Sequence, residues 1–253
     1  MFLLNIFFIG AGNCTEIILE KMQNCIKKAY LLDYDVEKIN FLKEKFHFCI
    51  ESDFFISDDI DFYVECASVE AVKKYTENII RNNKNIIILS SGAFSDFDFR
   101  NNVENILKNS RSQIFIPSGA IGGIDIINSL KDEINSITIE TRKPPLSFNM
   151  INTKEELIFY GTAEEAIKNY PKNINVAITL SMAVESFDKV KVKIISDPKI
   201  IKNIHKIFID SKAGKYEIKI ENNPSNNPKT SLMAPLSVVG FLKKFNNSIK
   251  VGV

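Results

Sequence analysis

The 253-residue chain has no tryptophan, two histidines, and four arginines among its 32 basic residues. Imidazole chemistry is therefore confined to His47 or His205, and Arg81, Arg100, Arg111 and Arg142 are scarce enough for each to be asked its purpose. The four cysteines, Cys14, Cys25, Cys49 and Cys66, form no Cys-x-x-Cys pair and no metal-ligand spacing. Nothing marks the chain as secreted, so they read as free thiols in a reducing cytoplasm, with no metal site. Charge of one sign is also lacking. The 32 basic and 31 acidic residues leave +1, with no long like-charged block to attract nucleic acid. The apolar opening MFLLNIFFIGAG is too short to span a bilayer, carries no basic leader, and runs into a glycine turn instead of a cleavage site. It reads as a buried first strand, and no membrane partner is expected.

What is present is globular: 45% hydrophobic and 25% charged residues, without repeats or a low-complexity linker. The length fits two modest domains sharing a cleft. From Phe2 to about Pro117 the segments LLNIFFI, AYLLD, FHFCI, DFYVECA, NIIILS and QIFIP alternate with helical stretches such as SVEAVKKYTENIIRNN. The strands are continuously apolar, as they are when both faces of a parallel sheet are covered. This predicts a Rossmann-type, doubly wound α/β domain over residues 1–118.

Beyond Pro117 the texture changes to alternation. INSITIETRK places Ile137, Ile139 and Thr141 on one face and Thr138, Glu140 and Arg142 on the other, and KVKVKIISD and KYEIKIE behave alike. Helical segments TAEEAIKNY and NVAITLSMAV interrupt them. A smaller α+β catalytic domain with a mixed or antiparallel sheet is expected over 119–228. After the loop ENNPSNNPKTS, residues 229–253 form a C-terminal helical segment expected to pack back near the cleft, with Pro235 a candidate kink.

The stretch IGAGNCTEIIL follows the first strand and resembles a dinucleotide fingerprint in which Thr15 replaces the third glycine. In such turns the first glycine makes the bend, the second lets backbone approach a pyrophosphate, and the third serves helix packing. Gly10 and Gly12 keep the phosphate-related roles, with Asn13 opening the helix behind them. Asp33 in YLLDYD stands where an acid accepts hydrogen bonds from ribose hydroxyls. Tyr34 follows it in place of an arginine or lysine, which favours NAD over NADP. VECAS and LSSGAFSD end parallel strands on the ligand-gathering edge, making Ala67 and Ser91 candidate cofactor contacts. Serine-capped strand-to-helix turns explain both segments equally well. IPSGAIGGID, with three glycines at the change of texture, is either a donor-rich ligand turn or a plain crossover between domains. His47 in FHFCI reads as a strand filler among core residues, and His205 shares a strand face with Ile207 and Ile209, so it too could be a satisfied core histidine.

Taken together, GAGNCTEI, DYD, VECAS, SSGAFSD, IPSGAIGGID, TRKPP, GTAEEAIKNYPKNINVAITLSMA, DPKIIKNIHKI and NNPSNNPKTS resemble, in this order and over nearly the whole chain, the L-aspartate dehydrogenase family. The resemblance implies NAD- or NADP-dependent oxidation of L-aspartate to iminoaspartate, which hydrolyses to oxaloacetate and ammonia or feeds quinolinate synthase in NAD biosynthesis. It also implies a homo-oligomer, dimer or tetramer, with cofactor contacts at Ala120 and Asn175 and a catalytic histidine at His205. Thr15 departs from the family pattern.

The chemistry accommodates these residues. Hydride leaves Cα only from a free amine, and an unperturbed histidine titrates near neutrality. His205 could thus take the ammonium proton or orient the water that attacks the imine. Two carboxylates need donors, and Lys143, Arg142, Lys229 and Thr230 lie in segments that the resemblance places near the active site. Arg142 and Lys143 point to opposite faces of a strand, with Lys143 on the side of Ile137 and Ile139. Lys229 and Thr230 stand at a helix start, where unpaired N–H groups favour an anion. The competing functions are another amino-acid or imine oxidoreductase of dihydrodipicolinate reductase-like plan, and a catalytically silent NAD-binding sensor.

Overall fold

The computed structural model describes residues 3–170, 175–223, 231–245 and 247–251. They divide into two compact units: one takes the chain up to Gly119 together with the stretch from Ala234, and the other takes Ala120–Met233.

The first unit is built on six parallel strands, β1 (Leu4–Ile9), β2 (Ile26–Leu32), β3 (Cys49–Glu51), β4 (Phe62–Glu65), β5 (Ile86–Ile88) and β6 (Ile114–Phe115). Their order is β3-β2-β1-β4-β5-β6, the doubly wound arrangement whose strand order reverses between β1 and β4. The helices α1 (Asn13–Met22), α2 (Val36–Lys45), α3 (Val69–Arg81) and α4 (Phe97–Leu107) connect them. Both faces of the sheet are covered. Ile6, Phe8, Leu31 and Val64 pack with Ile18 and Leu19 of α1, while the ring of Phe7 meets Tyr63, Phe54 and Phe55 on the other side. The expected strand at FHFCI is shorter than its apolar run. Phe46 is buried as the C-cap of α2, the chain turns there, and β3 begins only at Cys49 on the sheet edge. His47 is consequently exposed and fills no core.

The second unit contains α5 (Ile124–Leu130), β7 (Ile134–Lys143), β8 (Glu156–Thr162), α6 (Ala163–Asn169), α7 (Asn175–Val184), β9 (Val190–Ser196), β10 (Asn203–Ser211) and β11 (Gly214–Asn222). The sheet order is β11-β10-β7-β9-β8; β7 and β9 are parallel and the other pairs antiparallel, giving the mixed sheet that the alternation predicts. One face is apolar, with Ile137, Ile139, Val190, Val192, Ile207 and Ile209 buried. Thr162 caps α6 through a reciprocal capping box with Glu165.

The last helix, α8 (Met233–Phe245), adds Val238, Val239 and Leu242 to the core of the first unit and sets Phe241 and Phe245 against Phe115 and Phe62. Pro235 does not kink it. It falls in the first turn, where its missing N–H would have had no intrahelical acceptor.

Thr15 does more than occupy the place of a glycine. It is fully buried, and its hydroxyl donates to the Gly10 carbonyl at 2.6 Å, tying α1 to the turn that precedes it. Gly10 has φ +106°, and a Cβ there would stand 3.0 Å from Ala67, so the turn lies close against the end of β4. A Thr15→Gly variant loses the hydrogen bond and introduces glycine into a helix. Its unfolding free energy is expected to fall by about 2 kcal/mol in urea denaturation. Unchanged or increased stability would show that the tie contributes nothing.

Candidate active site

Each unit carries a polar assembly at an end or face of its sheet. In the first, β1 delivers Gly10 and Gly12 to the N-terminus of α1, where no side chain caps the helix. A Cβ on Gly12 would meet nothing within 4 Å, so the backbone here is bare. Asp33, directly after β2, holds the turn from the other side: one carboxylate oxygen accepts from the Ala11 N–H at 2.7 Å and the other from the Asp35 N–H at 3.0 Å. Gly10, Gly12, Asp33, Tyr34, Ala67 and Lys74 line a cleft of about 360 Å³. A helix end without a side-chain cap, a glycine turn without side chains and a fixed carboxylate fit a dinucleotide, with pyrophosphate at the turn and ribose at the acid. Asn13 is the first residue of α1. Tyr34 is 88% exposed at the rim, with the Lys74 ammonium 3.3 Å from its hydroxyl, and Lys38, also in the lining, pairs with Asp35 at 3.1 Å.

The floor of this cleft depends on Glu65, a residue that sequence reasoning passed over. Its fully buried carboxylate accepts from the Ala67 N–H at 2.8 Å, from the Ser90 N–H at 2.9 Å and from the Ser90 hydroxyl at 2.9 Å. Burial raises its pKa, and the donors of Ser90, Ala67 and Ser68 oppose that rise. One side chain thus joins the turns after β4 and β5. Ser68 also caps α3, which is the capping reading of VECAS, and Ala67 and Ser68 line the cleft. Ser91 is 1% exposed in the turn after β5 and is not part of the cleft lining.

In the second unit the largely apolar sheet face carries a buried histidine–threonine pair. His205 on β10 stands directly opposite Thr141 on β7 and Ile220 on β11. Thr141 Oγ1 and His205 Nδ1 are 3.0 Å apart, and both side chains are buried, at 3% and 4% exposure. Burial, and then the charge of Lys143, push the His205 pKa down to about 4. The ring is therefore neutral at pH 7, unlike the near-neutral titration expected of an unperturbed histidine. Lys143 follows Thr141 by two residues on the same face, and burial lowers its pKa as well. The glycine-rich crossover lies on this face. Gly123 has φ +76° and lies so close to Ile218 that a Cβ would collide with it; Asn222, on the same side of β11, donates to the Ala120 carbonyl at 2.7 Å. Asn175, the first residue of α7, is exposed.

Arg142 is on the opposite face. Its guanidinium pairs with Glu140, Glu155 and Asp197, and Glu140 also holds Lys193. Lys229 and Thr230 lie outside the described residues. Thr141 and Asn222 were missed because a threonine or asparagine in an alternating strand carries no local signal. Glu65 did carry one: an acid at the end of an otherwise apolar strand.

Known protein families match both parts of the chain, the second match running on through α8. A family model described as the C-terminal domain of aspartate dehydrogenase matches residues 125–245, and one described as the NAD binding domain of homoserine dehydrogenase matches 19–117. The L-aspartate dehydrogenase of Thermotoga maritima is 41% identical, covering 98% of this chain and 100% of its own length. That of a second Thermotoga strain is 45% identical with the same coverage. A crystal structure of aspartate dehydrogenase from Thermotoga maritima superposes with a TM-score of 0.84 at 35% identity, over 99% of this chain and all of that one.

The buried imidazole has a consequence for stability. Its folded pKa of about 4 is below the ordinary 6.5. Above pH 6.5 neither folded nor unfolded histidine is charged, and its contribution is fully present. As pH falls toward 4 only the unfolded chain takes the proton, and stability is lost. Between pH 7 and pH 5 this amounts to about 2 kcal/mol. Urea unfolding of wild type and His205→Asn at both values should show a loss smaller by that amount in the variant. Equal losses would mean that His205 is not held neutral.

Proposed function

The chain belongs to the L-aspartate dehydrogenase family, and from that premise we propose that it oxidises L-aspartate to iminoaspartate with a nicotinamide dinucleotide. The observation that carries this reading is the joining, in one chain, of the Gly10–Asp33 cradle to a buried His205 within the segment matching the aspartate dehydrogenase C-terminal domain.

The cofactor, when bound, accepts the hydride from Cα of aspartate. The residues of the chain bind and orient. The side-chain-free turn at Gly10 and Gly12 and the start of α1 at Asn13 receive the pyrophosphate, Asp33 accepts from the ribose hydroxyls, and Ala67, Ala120 and Asn175 complete the cofactor contacts; Ser91, buried outside the cleft lining, is left out. NAD is favoured over NADP: the Asp33 carboxylate repels a 2′-phosphate, and the nearby cations are engaged, Lys38 by Asp35 and Lys74 by the Tyr34 hydroxyl. Lys143, whose charge is disfavoured by burial, is stabilised by a substrate carboxylate, with Lys229 and Thr230 serving the second. Arg142, with three carboxylate partners already, is left out of the substrate contacts.

A ring with a pKa of about 4 does not take a proton from an ammonium at pH 7. Of the two roles open to His205, orienting the water that attacks the imine carbon is the one that a neutral imidazole performs. Oxidation then draws on the free-amine form of aspartate, whose share rises with pH. Hydrolysis of iminoaspartate gives oxaloacetate and ammonia; the same proposal includes a cytoplasmic homo-oligomer that can pass iminoaspartate to quinolinate synthase.

Absorbance at 340 nm tests the reading: L-aspartate with NAD should form NADH, and a panel of other amino acids should not. Cofactor binding without turnover of any amino acid would overturn it in favour of a sensor. Two variants locate the chemistry. Asp33→Ala should raise the KM for NAD about tenfold or more while changing that for NADP less. His205→Ala should lower kcat by roughly 10²-fold or more; turnover near that of wild type would remove His205 from the reaction.

A further inference from the structure

We propose that Thr141 is a positioning residue that holds His205 as the tautomer protonated on Nε2, so that the imidazole meets the substrate as a hydrogen-bond donor. The proposal rests on the role given to His205 in aspartate oxidation and deepens it.

A neutral imidazole has one N–H and one lone pair, and a threonine hydroxyl can serve either. Two arrangements therefore satisfy the 3.0 Å contact between Oγ1 and Nδ1. They differ in what happens to the hydroxyl proton. If Nδ1–H donates to Oγ1, that proton must find another acceptor, and among the described residues His205 Nδ1 is the only polar partner of the Thr141 hydroxyl. Ile139 is buried further along the same face of β7 and Ile220 stands opposite the ring on β11, while Lys143, whose charge reaches His205 from the same face of β7, carries an ammonium that cannot accept a proton. A buried hydroxyl left undonated is disfavoured by roughly tenfold or more. If the hydroxyl donates to Nδ1, every group of the pair is used and Nε2 carries the proton.

The consequence is chemical. Nε2–H can donate to a substrate carboxylate oxygen or to the oxygen of the water adding to the imine carbon, and the ring enters uncharged. Thr141 imposes this through register. It faces His205 across adjacent antiparallel strands, so the ring cannot exchange nitrogens without breaking the contact at Nδ1.

The presence of only two histidines makes the test direct. Protein labelled with ¹⁵N-histidine gives two imidazole spin systems, and His205→Asn identifies the one belonging to position 205. In wild type at pH 7, His205 should show a lone-pair shift at Nδ1 and a protonated shift at Nε2. Thr141→Ser should keep this pattern, and Thr141→Val should lose it. In parallel, Thr141→Val should lower kcat about tenfold or more while the Kd for NAD, measured by fluorescence titration, stays unchanged; Thr141→Ser should restore kcat. A protonated Nδ1 in wild type, or the same tautomer in the valine variant, overturns the proposal. Should the valine variant not fold, the wild-type and serine spectra decide alone. An Nε2–H tautomer in a protein that turns over no aspartate would support the positioning role and overturn only the assignment of function.

Discussion

A polar side chain enclosed by a sheet has to find its partners within a few ångströms, because water cannot supply them. Much of the functional architecture here answers that requirement. Glu65 sits at the end of an apolar strand and is satisfied by donors from two successive strand-to-helix turns. Its burial thereby sets the shape of both turns, including that of Ala67 in the nucleotide cleft. His205 obeys the same rule with Thr141 on a neighbouring strand, and Asn222 with a carbonyl of the glycine-rich crossover. In each case the group that costs most to enclose also determines where backbone and side chains stand.

The two faces of the second sheet show the contrast. One combines buried isoleucines and valines with the Thr141–His205 pair, so a charge there is poorly solvated and both His205 and Lys143 have depressed pKa values. The other carries Glu140, Arg142 and Lys193 in mutual ion pairs, and the Arg142 guanidinium is held even more firmly in its charged form. Adjacent residues on β7 therefore inhabit different electrostatic worlds, and the alternation of a strand is enough to separate them.

Local patterns made much of the fold legible. Continuous apolar runs marked the parallel strands, alternation marked the second sheet, and the glycine turn with Asp33 marked the cleft they line together, because each depends on short-range patterns in the chain. What escaped depends on register. Nothing near Thr141 says that a strand 64 residues later will place an imidazole opposite it. The same limit applied to His47: an apolar run looked like a core strand until the burial of Phe46 turned the chain and left the imidazole outside. The pKa of His205 was equally out of reach, since it is set by what surrounds the ring in space.

The helix that carries Pro235 bears on how the protein is made. Val238, Val239 and Leu242 belong to the same apolar cluster as Leu4, Ile6 and Ile26, more than two hundred residues earlier. A ribosome that has released the first six strands has therefore not yet supplied all of the surface that covers them. The nascent nucleotide-binding unit waits, with part of its core open, while the whole of the second unit is synthesised. Chain closure over so long a loop is slow, and the exposed interior during that interval is where a chaperone would have most to do.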